Sequence, residues 1–196
     1  MSDAGAPRDD GPRGDTSIAG PAAAYVVYTD GSCKPNPGAG GWAYVFAHGD
    51  ETREESGEEG IEQDTVSPRM EILAVVRALA ATPPGSAVVV RTDSAYVHDS
   101  ITVYIKTWLD NGWKISGGRK SVKHQDLWRT LWALTQERTV TWDWLPAHTA
   151  LSRGGDPLNH RVHALAYAAM ERAVEKRHTL HPYTPNLKTF NAPDRT

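Results

Sequence analysis

Three acidic residues stand where the sequence could bring their side chains together. Asp30 and Asp93 each end an apolar run that is typical of a buried strand, and Glu71 lies in the first turns of a predicted helix. Ligand sites of open α/β sheets form at the carboxyl ends of their strands. Crowded carboxylates repel one another and stay protonated unless a cation neutralises them. Their hard oxygen atoms favour Mg²⁺ or Mn²⁺, so the three residues predict a divalent-metal site.

Each of these residues also has a purely structural interpretation. Asp-Gly-Ser at Asp30 and Asp-Ser at Asp93 are common turn or cap sequences. An acid near a helix start, such as Glu71, is favoured by the helix macrodipole alone. Taken singly, the structural interpretation is favoured for each residue. The metal site is predicted only from their combination.

The elements that must position the three carboxylates follow from hydrophobic periodicity and turn signals. Strands are predicted at residues 25–28, 41–48, 87–92 and 139–145, with a polar edge strand and loop over 50–64. Helices are predicted from a cap at Ser67 to about residue 81, and over 95–110, 125–137 and 158–176. Strands mixed with helices in this order predict an α/β fold, a mixed sheet with helices packed on it.

The domain organisation follows from where periodicity begins and ends. Residues 1–24 are predicted to be a disordered N-terminal tail, and residues 25–176 a single domain. Residues 177–196 contain several prolines and little periodicity, which predicts a C-terminal tail.

Charge is unevenly distributed along the chain, although the net charge is only −3. Residues 50–64 carry eight acids against Arg53, whereas residues 104–124 carry five lysines and arginines against Asp110. A charge run is often no more than a solvated face. If the chain binds a polyanion, residues 104–124 are the expected contact.

Composition and cysteine content restrict the compartment. The apolar fraction of 39% and the charged fraction of 23% are ordinary for a soluble domain, and no apolar run is long enough to span a membrane. No signal peptide is recognisable in residues 1–24. The single cysteine, Cys33, cannot form an internal disulfide, which favours a reducing compartment. A cytoplasmic protein is expected.

Five short motifs together resemble the type 1 ribonuclease H family. They occur in family order and are Tyr28-Thr-Asp-Gly-Ser-Cys33, Asn36-Pro-Gly38, Arg69-Met-Glu71, Thr92-Asp-Ser-Ala-Tyr-Val97 and Trp144-Leu-Pro-Ala-His148. The resemblance covers residues 25–174, and residues 101–128 resemble the family's basic, tryptophan-rich protrusion. It implies a ribonuclease H-like five-stranded mixed sheet flanked by helices. It also implies an endoribonuclease that cuts the RNA strand of RNA–DNA hybrids with two metal ions, leaving 5′-phosphate and 3′-hydroxyl ends.

The resemblance also implies which residues form the site. Asp30, Glu71 and Asp93 would be catalytic and would hold two ions, Mg²⁺ or Mn²⁺, while His148 would assist proton transfer or product release. The implied substrate-binding residues are Cys33 and Asn36 for the RNA strand, and Lys106, Trp108, Trp113, Lys114, Lys120 and Lys123 for the DNA strand. The expected partner is an RNA–DNA hybrid. No obligate protein partner is evident, and a monomer is expected.

The fourth metal-binding position departs from the family, which normally has an aspartate there. His163 occupies that position, after an unusually long loop that ends in Asp156. Three interpretations are open. His163 is a nitrogen ligand that favours Mn²⁺; Asp156 replaces the missing carboxylate; or the chain is a hybrid-binding module with weak or no catalysis. Zinc is disfavoured because no cysteine lies near the histidines.

Overall fold

The computed structural model describes residues 24–115, 117–147 and 149–180. Residues 1–23 and 181–196, which make up most of the predicted tails, lie outside this range. His148 lies outside it too, so its predicted role stays a prediction. The last helix continues to Leu180, four residues past the boundary predicted at residue 176. Its final turn is held to the loop after the edge strand, since Arg177 pairs with Asp64 at 2.5 Å.

A mixed five-stranded sheet forms the centre of the molecule. Its strands are β1 (Tyr25–Lys34), β2 (Ala39–His48), β3 (Glu51–Glu59), β4 (Ala87–Thr92) and β7 (Thr139–Trp144), in the order β3-β2-β1-β4-β7. Strands β1, β2 and β3 are joined antiparallel, whereas β1–β4 and β4–β7 pairs are parallel. A separate small hairpin pairs β5 (Lys114–Ile115) with β6 (Lys120–Ser121). The predicted sheet, with its polar edge strand, is confirmed.

Five α-helices flank the sheet in the described part of the chain. They are α1 (Ser67–Ala80), α2 (Ala95–Asp99), α3 (Ile105–Asp110), α4 (Gln125–Gln136) and α5 (Pro157–Leu180). The helix predicted over 95–110 is present but contains a π-helical segment, Ser100–Tyr104, between α2 and α3. The larger apolar core includes residues of α1 and α4 on one side of the sheet, and α5 packs on the other side through Val162 and Ala166. The domain is therefore a sheet with helices on both faces.

The start of α1 differs from the prediction that Ser67 is its cap. Ser67 is already helical, and Val66 is the cap residue. The Val66 side chain makes no capping hydrogen bond. The amide N–H of Ser67 instead donates to Oδ1 of Asn36 at 3.3 Å. The loop after β1 thus supplies the acceptor that a local side chain usually provides, a long-range contact that local sequence does not reveal.

Two glycines let helices lie directly against the central strands. A Cβ at Gly31 in β1 would clash with the backbone nitrogen of Glu71 in α1. A Cβ at Gly41 in β2 would clash with backbone atoms of Ala166 and Met170 in α5. Backbone atoms cannot rotate away as side chains do, so no larger residue fits at these positions without moving a helix.

The acidic strand β3 is matched by basic residues of α5. Arg161 binds Glu54 through two hydrogen bonds of 2.9 and 2.5 Å. Further along the helix, Arg172 and Lys176 both pair with Glu58. The strong negative charge of residues 50–64 is therefore partly neutralised within the domain and is not only a solvated face.

Within residues 24–115, 117–147 and 149–180, no helix has the length and apolar character needed to cross a membrane.

Candidate active site

The three predicted carboxylates meet at one edge of the sheet. Asp30 lies in β1 and is 5% exposed, Glu71 lies in the second turn of α1, and Asp93 directly follows β4. Strands β1 and β4 are parallel neighbours that pair up to Thr29 and Thr92. The two aspartates therefore follow the last paired residues of adjacent strands. The close contact at Gly31 brings α1, and with it Glu71, to the same place.

The electrostatics of this edge reflect carboxylates in close proximity. Burial, with the negative charges of Asp30 and Asp93, raises the pKa of the Glu71 carboxyl well above its usual range. Its Oε2 atom is buried and has no hydrogen-bond partner, although the residue as a whole is only half-buried. A buried carboxylate oxygen without a donor is unfavourable, and a bound cation is one way to satisfy it.

His163 comes from α5 and contacts the first of these carboxylates. Its Nδ1 lies 2.9 Å from Oδ2 of Asp30, a distance at which the imidazole N–H donates to the carboxylate. This hydrogen bond, with the charges of Asp30 and Asp93, raises the pKa of His163 against the opposing effect of partial burial. The structure thus places the residue predicted at the fourth position beside Asp30.

Asn159, one helical turn before His163, contacts the third carboxylate. Its Nδ2 donates to Oδ2 of Asp93 at 3.3 Å. The sequence prediction did not include this residue, because an asparagine near a helix start is ordinarily a cap or a surface residue. Helix α5 therefore reaches two carboxylates of the site, Asp30 and Asp93, through side chains four residues apart.

Asp156, the loop carboxylate considered as a replacement ligand, is engaged elsewhere. Its Oδ1 accepts the backbone N–H of Leu158 at 2.8 Å and caps the start of α5. Its Oδ2 accepts the hydroxyl of Tyr28 at 2.7 Å. Both oxygens thus have partners in this structure, which disfavours Asp156 as the fourth ligand.

A cleft of about 330 Å³ lies beside this group of residues. Its walls include Asp93, Asn159, His160 and His163. Nε2 of His160 lies 2.7 Å from the carbonyl oxygen of Thr149, which holds the loop before α5 against the helix. The acidic edge is therefore accessible from outside the domain.

The described side chains do not form a ready metal centre. In the ranges that the structure covers, no three His, Cys, Asp or Glu side chains are grouped as ligands of one ion. The individual donors still suit a hard divalent cation, because Asp30, Glu71 and Asp93 are carboxylates and Glu71 Oε2 has no donor.

The two predicted RNA-contact residues lie in and beside the loop after β1. Cys33, near the end of β1, donates its thiol to the carbonyl of Pro35 at 3.2 Å, and burial raises its pKa. Asn36 is exposed and its Oδ1 binds the start of α1. Asn36 is therefore tied to the helix that carries Glu71, and Cys33, whose Sγ also lies 3.4 Å from the carbonyl oxygen of Thr65, lies close to the start of that helix.

The predicted DNA-contact residues divide into an exposed and a buried set. The lysines are exposed and are Lys106, Lys114, Lys120 and Lys123. Trp113 is only 3% exposed, and the guanidinium of Arg129 lies 4.9 Å from its ring centroid. Trp108 is half-buried and packs edge-on against the buried Trp128, with 5.6 Å between ring centroids. The prediction that Trp113 contacts DNA directly conflicts with its burial, because it anchors the protrusion to the core.

Comparison with known proteins identifies the family. The model of the RNase H family matches residues 22–171. A Ribonuclease H from Rhizobium meliloti (strain 1021) is 42% identical over 145 residues, which are 74% of this chain and 89% of the relative. Another from Hahella chejuensis (strain KCTC 2396) is 38% identical over 148 residues, 76% of this chain and 94% of the relative.

The chain belongs to the ribonuclease H family. The sequence-based predictions of this family and of a ribonuclease H enzyme are thereby confirmed.

Solved structures agree on the fold of this ribonuclease H family member. LC9-RNase H1, described as a type 1 RNase H with the type 2 active-site motif, superposes with a TM-score of 0.66 at 24% identity. The match covers 78% of this chain and 74% of that protein. LC11-RNase H1, solved in complex with an RNA/DNA hybrid, gives a TM-score of 0.53 at 20% identity, covering 76% of this chain and 99% of that one. At such identities the likeness supports the shared fold alone.

Proposed function

We propose that this chain is an endoribonuclease that hydrolyses the RNA strand of RNA–DNA hybrids and leaves 5′-phosphate and 3′-hydroxyl ends. The observation that carries the proposal is the meeting of Asp30, Glu71 and Asp93 at one sheet edge, with the Oε2 of Glu71 buried and unpartnered. Membership of the ribonuclease H family supports the class of enzyme, and we propose that hydrolysis occurs at this acidic edge.

Asp30, Glu71, Asp93 and His163 would hold the metal ions. Two divalent cations, Mg²⁺ or Mn²⁺, supply activation of the attacking water and stabilisation of the leaving 3′ oxygen when bound. The hydrogen bond from His163 to Asp30 supports His163 as the fourth ligand, since it lies against a carboxylate of the site. The engagement of both oxygens of Asp156 supports the same choice. An imidazole ligand favours Mn²⁺ over Mg²⁺.

The hybrid would be bound on two surfaces. Cys33 and Asn36 would contact the RNA strand, where the 2′-hydroxyls distinguish RNA from DNA. The lysines of the protrusion, Lys106, Lys114, Lys120 and Lys123, would contact phosphates of the DNA strand. The half-buried Trp108 would pack against the same strand, and the buried Trp113 would support the protrusion from beneath. His148 would assist proton transfer or product release.

The unit that carries this activity begins at residue 25 and extends to the end of α5 at Leu180. We infer that it acts as a monomer in the cytoplasm. The single cysteine supports a reducing compartment, and the residues assigned to the site above all belong to one copy of the chain.

The test is cleavage of a labelled RNA–DNA hybrid by the full chain, in Mg²⁺ and separately in Mn²⁺. Single-stranded RNA and duplex DNA serve as matched substrates. Multiple-turnover cutting of the hybrid's RNA alone, faster in Mn²⁺, is expected. The second candidate function, a hybrid-binding module, is favoured by the histidine at the fourth position. Binding without cutting in either metal would establish that module and overturn the proposed activity.

A further inference from the structure

A polar row crosses three strands directly behind the acidic edge. Tyr28 of β1 pairs in register with Arg91 of β4, and Arg91 with Asp143 of β7. Asp30 and Asp93 come two residues after Tyr28 and Arg91. Side chains two residues apart on a strand lie on the same face. The row therefore lies on the same face of the sheet as the carboxylate of Asp30, two residues further from the acidic edge.

The members of this row are joined by short hydrogen bonds. Arg91 donates from Nε to Oδ2 of Asp143 at 3.0 Å and from Nη1 to the hydroxyl oxygen of Tyr28 at 2.6 Å. The Tyr28 hydroxyl donates onward to Oδ2 of Asp156 at 2.7 Å. Tyr28 is only 4% exposed, so its hydroxyl has little access to water. The chain of bonds runs from the last strand to the start of α5.

Asp156 connects this row to the helix that enters the site. One carboxylate oxygen accepts from the row, while the other caps the first turn of α5. Asn159 and His163 follow on the same helix and donate to Asp93 and Asp30. Asp156 therefore connects the start of α5 to β1 through Tyr28 and to β4 through Arg91, whose Nη1 lies 3.6 Å from Oδ2 of Asp156.

We propose that Tyr28, Arg91 and Asp156 are positioning residues that orient Asn159 and His163 on the two aspartates of the active site. The inference rests on the proposed function, because it assigns these residues a part in the same reaction. Arg91 and Asp156 also line the cleft, but none of the three residues is assigned to metal or substrate, and we infer that they act on the site through α5. Without Asp156, the start of α5 would contact the acidic edge only through Asn159 and His163 themselves.

Two variants, called the link variants, test the Tyr28–Asp156 hydrogen bond separately from the helix cap that Asp156 also provides. Asp156→Ser keeps a good capping oxygen but removes the acceptor for Tyr28. Tyr28→Phe removes the same bond from the other end and leaves Asp156 in place. Glu58→Gln is the control, because it weakens ion pairs of α5 with the sheet at the far end of the same helix.

Three readouts are taken on each full-length variant. They are kcat and KM for hybrid cleavage, the affinity of the free protein for Mn²⁺ by titration calorimetry, and the imidazole ¹⁵N signals of His163 by NMR. For both link variants we expect kcat and Mn²⁺ affinity to fall about 10-fold, the usual effect of losing a residue that orients a ligand. The KM for the hybrid should stay within about two-fold, and the His163 signals should shift. The melting temperature should fall by less than about 4 °C, because the cap is retained.

The outcomes are decisive in both directions. Both changes remove the Tyr28–Asp156 hydrogen bond, although Tyr28→Phe also removes an acceptor of Arg91 and Asp156→Ser removes its ion pair with Arg91. Combining them should therefore lower kcat by less than the product of the two single effects. Unchanged kcat, Mn²⁺ affinity and His163 signals, or losses matched by Glu58→Gln, would overturn the inference. If the wild-type protein does not cut hybrids, the proposed function fails, but the Mn²⁺ and NMR readouts still decide whether the row orients His163.

Discussion

His163 Nδ1 lies 2.9 Å from Asp30 Oδ2, so an imidazole from α5 contacts the carboxylate that β1 contributes to the candidate active site. A carboxylate at position 163 would have added a fourth negative charge to a site where Asp30 and Asp93 already raise the pKa of Glu71. The imidazole supplies a donor there instead. The site therefore has less internal repulsion in the absence of metal than a site of four acids.

Replacing Asp30 should abolish cleavage without abolishing binding. In Asp30→Asn the acceptor of His163 and a metal-binding charge are lost, and we expect the rate to fall about 100-fold or more. Hybrid affinity, measured by fluorescence anisotropy, should be retained because the exposed lysines are intact. Asp50→Asn, at an exposed acid in the turn after β2, is the control for a lost charge. Turnover equal to wild type would contradict the site assignment.

Restoring a carboxylate at the fourth position should change the metal preference. His163→Asp supplies an oxygen ligand, so the Mg²⁺-supported rate should rise by about 10-fold relative to the Mn²⁺-supported rate. His178→Asp, near the exposed end of α5, controls for the added charge. Steady-state cleavage in each metal gives the ratio. A ratio unchanged from wild type would argue against His163 at the metal site.

The residues of the protrusion should fall into two groups, those that stabilise the fold and those that bind the hybrid. Trp113→Ala empties a buried position and should lower the free energy of unfolding by about 3–5 kcal/mol, measured by urea denaturation. Lys120→Ala should leave that value unchanged, because the side chain is exposed. It should instead weaken hybrid binding and reduce the salt dependence of the affinity by about one unit of slope. Equal stability losses in the two variants would contradict this division.

Stability should depend on pH through the ion pairs of β3 and α5. Lys176 and Arg172 hold the pKa of the Glu58 carboxyl below its ordinary value of 4.5. A lowered pKa means that the stabilisation is present above pH 4.5 and is lost as the pH falls through the lowered value. Glu58→Gln should therefore be less stable than wild type at pH 7, by about 1 kcal/mol, and equally stable in acid. Thermal unfolding between pH 3 and 7 measures the difference. A constant difference across that range would contradict the assignment.

The sequence predicted the sheet and the meeting of Asp30, Glu71 and Asp93 because both depend on local signals. Strand ends and a helix start are recognisable from neighbouring residues, and parallel strands bring their carboxyl ends together. The five family motifs, which occur along the chain in the family's order, supported the same assignment.

The features that the sequence did not reveal depend on residues far apart in the chain. Asn159 lies 66 residues from Asp93, and Asp156 lies 128 residues from Tyr28. The pairing of Arg172 with Glu58 likewise spans 114 residues. No periodicity marks such contacts, since they arise from the packing of α5 on the sheet. Trp113 was expected to bind the DNA strand because residues 101–128 resemble the family's tryptophan-rich protrusion, and local sequence does not reveal that it is only 3% exposed.

The contact at Gly31 divides the active site into a fixed part and an exchangeable part. Because no side chain separates β1 from α1 there, the spacing of Asp30 and Glu71 is set by main-chain atoms, which substitution at neighbouring positions leaves in place. The fourth position is carried instead by α5 and meets Asp30 only through a side chain. Residue 163 can therefore change in chemical type while the main-chain geometry that spaces Asp30 and Glu71 stays the same. We therefore expect residue 163 to be the position at which the metal preference of the proposed site can be redesigned.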